Sequence, residues 1–126
     1  MTVGFVMLTH TALDRAAQTA RHWAQSGCPV AIHTDAKVPD DAYAGFKAQL
    51  AGLRNVRFVS PRRRCDWGGW GIVGATIDGA RLMLDAFPEV SHVYLASGSC
   101  LPLRPVPDRA AYLAARKGTD FIESVT

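Results

Sequence analysis

At 126 residues, 48% hydrophobic and 20% charged, the chain falls in the globular class and is long enough for one modest core. A formal charge of +3 and a sequence pI near 9.0 suit an anionic ligand but are too weak a bias to argue for nucleic acid. The three cysteines, Cys28, Cys65 and Cys100, form no C-x-x-C pair and support neither a disulfide framework nor a zinc knuckle.

No apolar run approaches the ~18 to 20 residues that a membrane span requires, and no basic region opens the chain. The expected location is cytoplasmic, or at most peripheral to a membrane. In chain order, Val3 to Leu8 is a continuous apolar run, the pattern of a strand covered on both faces. Thr11 with Asp14 matches the capping-box spacing in an acidic variant, and Leu13, Ala17, Ala20 and Ala24 form an apolar stripe that Gly27 and Pro29 terminate. Val30 to Ile32 reads as a second strand with His33, Thr34 and Asp35 at its end. A second helix opens at Pro39-Asp40-Asp41 and carries Tyr43, Phe46, Leu50 and Leu53.

Val56 to Val59 gives a third strand, and Ser60 to Gly69, with a proline, three consecutive arginines and a glycine pair, reads as a loop. From Trp70 the spacing is helical again through Val73, Ile77, Ala80 and Leu84, which predicts a third helix closed by Pro88. Gly71, Gly74 and Gly79 inside it cost about 1 kcal/mol each relative to alanine, and close packing of helix on sheet explains them. Val93 to Ala96 is the fourth strand, a helix follows over roughly Asp108 to Lys117, and Phe121-Ile122 reads as a fifth strand. This alternation predicts right-handed βαβ units: an α/β fold with an open, mostly parallel, Rossmann-like sheet and flanking helices.

Ligands of open α/β sheets gather at the C-terminal ends of the strands. Those ends carry His10, then His33 and Asp35, then the arginine-rich W-G-G loop, then Ser97-Gly98-Ser99. His10 reads either as a solvent-facing turn residue or as a ligand contact. Asp35 reads as a turn residue or as an acceptor for nucleotide hydroxyl or N–H groups. Arg62, Arg63 and Arg64 read as a solvated charge run or as anion contacts, and Trp67 and Trp70 as core lids or as a stacking platform for a sugar. Gly68 and Gly69 lack Walker spacing, and no G-x-G-x-x-G follows the first strand. H-E-x-x-H, G-x-S-x-G and D-x-D are also missing, so the residues favour binding over an evident catalytic motif.

The order H-T-D (His33 to Asp35), W-G-G-W-G-I-V (Trp67 to Val73) and V-Y-L-A-S-G-S-C-L-P-L (Val93 to Leu103) resembles the core-2 and I-branching N-acetylglucosaminyltransferases, a family that includes the peptide O-xylosyltransferases. The resemblance implies a GT-A-like fold and inverting transfer of GlcNAc or xylose from a UDP-sugar to a hydroxyl of a glycan or protein acceptor. The UDP-sugar is then a co-substrate, with no cofactor and no metal, and nucleic acid is not a partner. It also implies that Asp35 contacts the uridine and that Trp67, Gly68, Gly69, Ser97 and Gly98 border the donor pocket, to which the strand-end argument adds His10.

Two departures qualify the match. Family members commonly carry an acidic residue where Cys100 stands, and the family's domain continues past the equivalent of Thr126, where its catalytic carboxylate and diphosphate-neutralising residues lie. Glu123 does not match that carboxylate's motif. The expectation is that residues 1–126 form the N-terminal nucleotide-sugar-binding portion of one glycosyltransferase domain, inactive alone. The alternative is a small non-catalytic α/β binding or adaptor domain; RNA binding by the arginines and tryptophans ranks below both.

Overall fold

The computed structural model describes residues 2–66 and 69–97. In chain order these form β1 (Thr2–Thr9), α1 (Leu13–Gln25), β2 (Val30–Thr34), α2 (Asp40–Gln49), β3 (Val56–Phe58), α3 (Gly71–Ala86) and β4 (Val90–Ser97). The expected final helix and fifth strand, together with Trp67, Gly68, Gly98 and Cys100, lie outside the described residues.

The four described strands make one sheet in the order β3-β2-β1-β4, and every pairing is parallel. This is the α/β, Rossmann-like arrangement that the alternation of strands and helices predicts. Successive units run outward from β1 to β3, and the chain then returns across α3 to the opposite side of β1, so the direction of winding reverses between β1 and β4. Alternate residues of β1 sort the two faces. Val3, Phe5 and Met7 join Ala16, Ala17, Ala20 and Trp23 of α1 and Phe46 of α2 in the larger core. On the other face Val6 and Ala31 pack with Met83 of α3. Phe5 and Trp23 stack with ring centroids 4.0 Å apart, each aromatic contributing about 1.5 to 3 kcal/mol by leaving water.

The ends of α1 show where local signals hold and where they do not. Its C-terminus closes as Gly27 predicts: Gly27 takes a φ of 89°, and the N–H groups of Gly27 and Cys28 donate to the carbonyls of Ala24 and Trp23. Its N-terminus lacks the expected Thr11 cap. Ala12 occupies the capping position in the left-handed region, with φ 49° and ψ 48°, and no side chain caps the helix. The sharp exit from the buried end of β1 falls on Ala12, and Thr11 is left exposed.

The small-residue face of α3 lies against the sheet, and the close packing expected from the glycines is found at Gly79. The buried residues are Gly74, Ala75, Gly79 and Met83, whereas Trp70, at 66% exposure, Val73, Ile77 and Leu84, at 53%, face outward. Small residues win because the helix lies close to the strands. A Cβ on Gly79 would fall 2.5 Å from Val6 Cγ1, and one on Gly4 would fall 2.6 Å from Met83 Sδ. Gly71 and Gly74 serve a different purpose from the expected packing on the sheet: their missing side chains make room for the carbonyl of Arg64 and the guanidinium of Arg63, respectively. No helix among the described residues is long and apolar enough to cross a membrane.

Candidate nucleotide-binding site

The C-terminal ends of three strands stand level. Thr9 pairs with Thr34 across β1 and β2, and Leu8 pairs with Ser97 across β1 and β4. Two buried hydroxyls, Thr9 Oγ1 and Thr34 Oγ1, satisfy each other at 2.9 Å, and the Asp35 N–H donates to the Thr9 carbonyl at 2.9 Å. These bonds fix the start of both loops, so that His10, Asp35 and Ser97 share one edge of the sheet. Beside this edge, between the β1–α1 and β2–α2 loops, a pocket of about 350 Å³ is lined by His10, Thr11, Leu13, Asp35, Lys37 and Ala42, among others.

Asp35 is the best-held polar group of this pocket. It is 3% exposed, and its Oδ1 accepts the Lys37 N–H at 2.8 Å and the Cys65 N–H at 3.3 Å. The first bond is the Asx turn that a carboxylate makes two residues ahead of itself; the second ties it to a segment thirty residues downstream. Its other oxygen, Oδ2, lies 3.5 Å from the Lys37 ammonium. Lys37 also donates to the Cys65 carbonyl at 2.9 Å and sits 3.4 Å from Asp66. The sequence reading passed over Lys37, although its position two residues after Asp35 is the signal for such a turn. Burial raises the Cys65 thiol above its ordinary range, with the charge of Asp35 adding to the effect.

The three consecutive arginines have three separate environments. Arg62 is largely covered, its side chain 14% exposed. Its guanidinium donates to the carbonyls of Asp35 and Val38, both at 3.1 Å, pairs with Asp40 at 2.9 Å, and lies 4.1 Å above the Tyr43 ring. It thereby clasps the β2–α2 turn from outside. Arg63 crosses over Gly74 and pairs through Nε with Asp78 of α3 at 2.5 Å. This hydrogen bond holds the Asp78 carboxyl below the usual carboxylate range. Arg64 is mostly exposed and pairs at 3.2 Å with Asp66, whose carboxyl is lowered chiefly by that contact.

His33 lies inside β2 and not beyond its end, turned toward α3 and 1% exposed. Its Nε2 accepts the Arg63 N–H at 2.8 Å. Burial is the main cause that lowers its pKa below the ordinary value, against the opposing charges of Asp78 and Asp35.

Of the expected donor-pocket residues, His10 and Asp35 therefore meet in one pocket, and Ser97 stands at the same sheet edge, exposed at the end of β4. The Gly69 N–H donates to the Asp66 carbonyl at 3.0 Å; Trp67, Gly68 and Gly98 lie outside the described residues. Trp70 is an exposed residue at the start of α3 and not a core lid. The arrangement offers a recessed carboxylate for N–H or hydroxyl donors, a neighbouring ammonium for an anion, and an edge running from the pocket toward the crossover between β1 and β4.

The sequence model of one protein family, described as Core-2/I-Branching enzyme, matches residues 3–126. No curated protein matches the chain.

Proposed function

Because the chain belongs to the Core-2/I-Branching enzyme family, a family of glycosyltransferases, we propose that its pocket between the β1–α1 and β2–α2 loops receives the nucleoside of a UDP-sugar. In this reading Asp35 accepts a uracil N–H or a ribose hydroxyl, and His10 borders the same group. The diphosphate and sugar extend along the strand ends toward Ser97. The observation that carries the proposal is the buried Asp35 carboxylate lining the pocket, with Oδ1 held by backbone donors and Oδ2 beside the Lys37 ammonium. A carboxylate after the second strand of such a sheet is where nucleotide hydroxyls are commonly accepted.

The reaction proposed is inverting transfer of GlcNAc or xylose to a hydroxyl of a glycan or protein acceptor. The acceptor oxygen forms a bond to C1 of the sugar, the bond from C1 to the phosphate oxygen breaks, and UDP departs with that electron pair. A general base must take the acceptor's proton. The fixed N–H and ammonium partners of Asp35 suit it to binding, so it is not assigned that task.

Calorimetry with UDP tests the site. Binding by the native chain that is lost in Asp35→Ala, with GDP and CMP bound more weakly than UDP, is the expected result. Equal heats for the native chain and Asp35→Ala would remove Asp35 from the site.

A further inference from the structure

We infer that His33 is a positioning residue for this site: as a neutral imidazole it holds the arginine loop through the Arg63 N–H, and the loop in turn holds the Asp35 carboxylate. The inference rests on the donor-site reading above for its functional meaning, but the latch itself is a property of the free protein.

The chain of contacts is continuous. His33 Nε2 accepts the Arg63 N–H at 2.8 Å. The Arg63 carbonyl accepts the Ala36 N–H at 3.0 Å, which places residue 63 alongside the turn that follows Asp35. Two residues on, the Cys65 N–H reaches Asp35 Oδ1 at 3.3 Å, while the Cys65 carbonyl holds the Lys37 ammonium. The Cys65 N–H bond and the placement of the Lys37 ammonium thus both depend on where residues 63–65 lie. The Arg63 side chain is also seated over Gly74 and paired with Asp78, so α3 and His33 both anchor the loop at residue 63.

An imidazole nitrogen accepts a hydrogen bond only while it carries no proton. The 2.8 Å contact therefore requires neutral His33 with its proton on Nδ1. Adding a second proton at Nε2 would set two N–H groups against each other beside a buried ring, and the bond would be replaced by a repulsion. The charged groups facing the ring are Asp78 on α3, Asp35 at the end of its own strand and Arg63 on the loop. The two carboxylates favour the imidazolium and Arg63 opposes it. Burial decides in favour of the neutral ring, so the latch is closed near neutral pH and opens on acidification below the ordinary histidine range of about 6.5.

Glutamine and phenylalanine separate the acceptor from the bulk. Glutamine can offer an oxygen near the Nε2 position and does not titrate; phenylalanine fills the space and offers no acceptor. Amide exchange of residues 63 and 65 is measured without nucleotide at about pH 8 and at the lowest pH at which circular dichroism shows the native chain folded, with each rate corrected for its intrinsic pH dependence. Loss of one hydrogen bond should cut protection about tenfold. The native chain is expected to lose protection at the lower pH, His33→Gln to keep it at both, and His33→Phe to lack it at both. Equal protection of the Arg63 amide in the native chain at both pH values, or in native and His33→Phe proteins alike, would overturn the latch. Should His33→Phe fail to fold, the comparison of native and glutamine proteins still decides.

UDP affinity is then measured on the same proteins. The terminal phosphate of UDP itself titrates near pH 6, and the glutamine variant cancels that contribution. The native chain should lose several-fold more affinity on acidification than His33→Gln. If the exchange pattern holds but UDP binds at neither pH, the donor-site reading fails and the latch stands. If UDP binds and both proteins lose affinity equally, the latch does not position Asp35.

Discussion

Gly79 of α3 lies so close to Val6 of β1 that a single added methyl would meet Val6 Cγ1 at 2.5 Å. Alanine at position 79 would gain about 1 kcal/mol of helix propensity, yet it would force Val6, which is fully enclosed, or the helix itself to move. Overpacking of this kind costs about 1 to 3 kcal/mol. Gly79→Ala should therefore destabilise the fold in urea denaturation, and Val6→Ala introduced alongside it should recover part of the loss. A more stable single variant would show that α3 can slide without strain.

The arginines should respond unequally to removal. Arg62 gives hydrogen bonds to two carbonyls, pairs with Asp40 and stacks on Tyr43, so Arg62→Ala should cost about 2 kcal/mol through carbonyls left without their charged donor. Lysine should not restore it, because one ammonium cannot reproduce the planar fork. Arg64→Ala, which breaks an exposed pair with Asp66, should change stability by less than about 0.5 kcal/mol. Matched denaturation curves for the three variants check the order; similar midpoints for Arg62→Ala and Arg64→Ala would contradict it.

Acid should destabilise the fold in two separate windows. His33 has a folded pKa below its ordinary value because it is buried, so the unfolded chain binds its proton first. The stability this contributes is complete above about pH 6.5 and declines as the pH falls toward the folded pKa. Asp78 has a folded pKa below the carboxylate range because of Arg63. Its contribution is complete above about pH 4 and is lost below that. Stability measured against pH should fall in the first window for the native chain and stay flatter there for His33→Gln. An unchanged slope between pH values of about 5 and 7 in the variant would assign the decline to another group.

The family resemblance and the missing D-x-D motif predict that UDP binding does not depend on a divalent ion. Affinity measured with excess chelator should match that measured with added magnesium or manganese. A large gain on adding either ion would require carboxylate ligands that the sequence reading did not identify.

What the sequence disclosed about this fold follows from the range over which each signal acts. Strands and helices were readable because apolar runs and helical spacing are local, and Gly27 marked a helix end by a conformation that glycine alone adopts freely. The orientation of α3 was not readable from hydrophobicity. Trp70, Val73, Ile77 and Leu84 form the greasier stripe, but the sheet accepts Gly74, Ala75 and Gly79 because closeness of approach, not side-chain size, sets that packing. The same holds at the site. That His10 and Asp35 meet at one edge was readable because both follow strands of a parallel sheet. The parts played by His33 and Arg62 depend on contacts 30 and 27 residues away along the chain, and three identical neighbouring arginines gave no sign that one would be largely covered.

Gly4 leaves a notch in β1 that the thioether of Met83 fills, and that sulfur has no exposure to water. A sulfoxide oxygen would have no room there. Peroxide can therefore reach Met83 only when α3 lifts from the sheet, and an oxidised helix could not settle back in the same place. The rate at which Met83 gains an oxygen, read by mass spectrometry of intact protein, is thus a built-in clock for the opening of the layer that anchors the arginine loop.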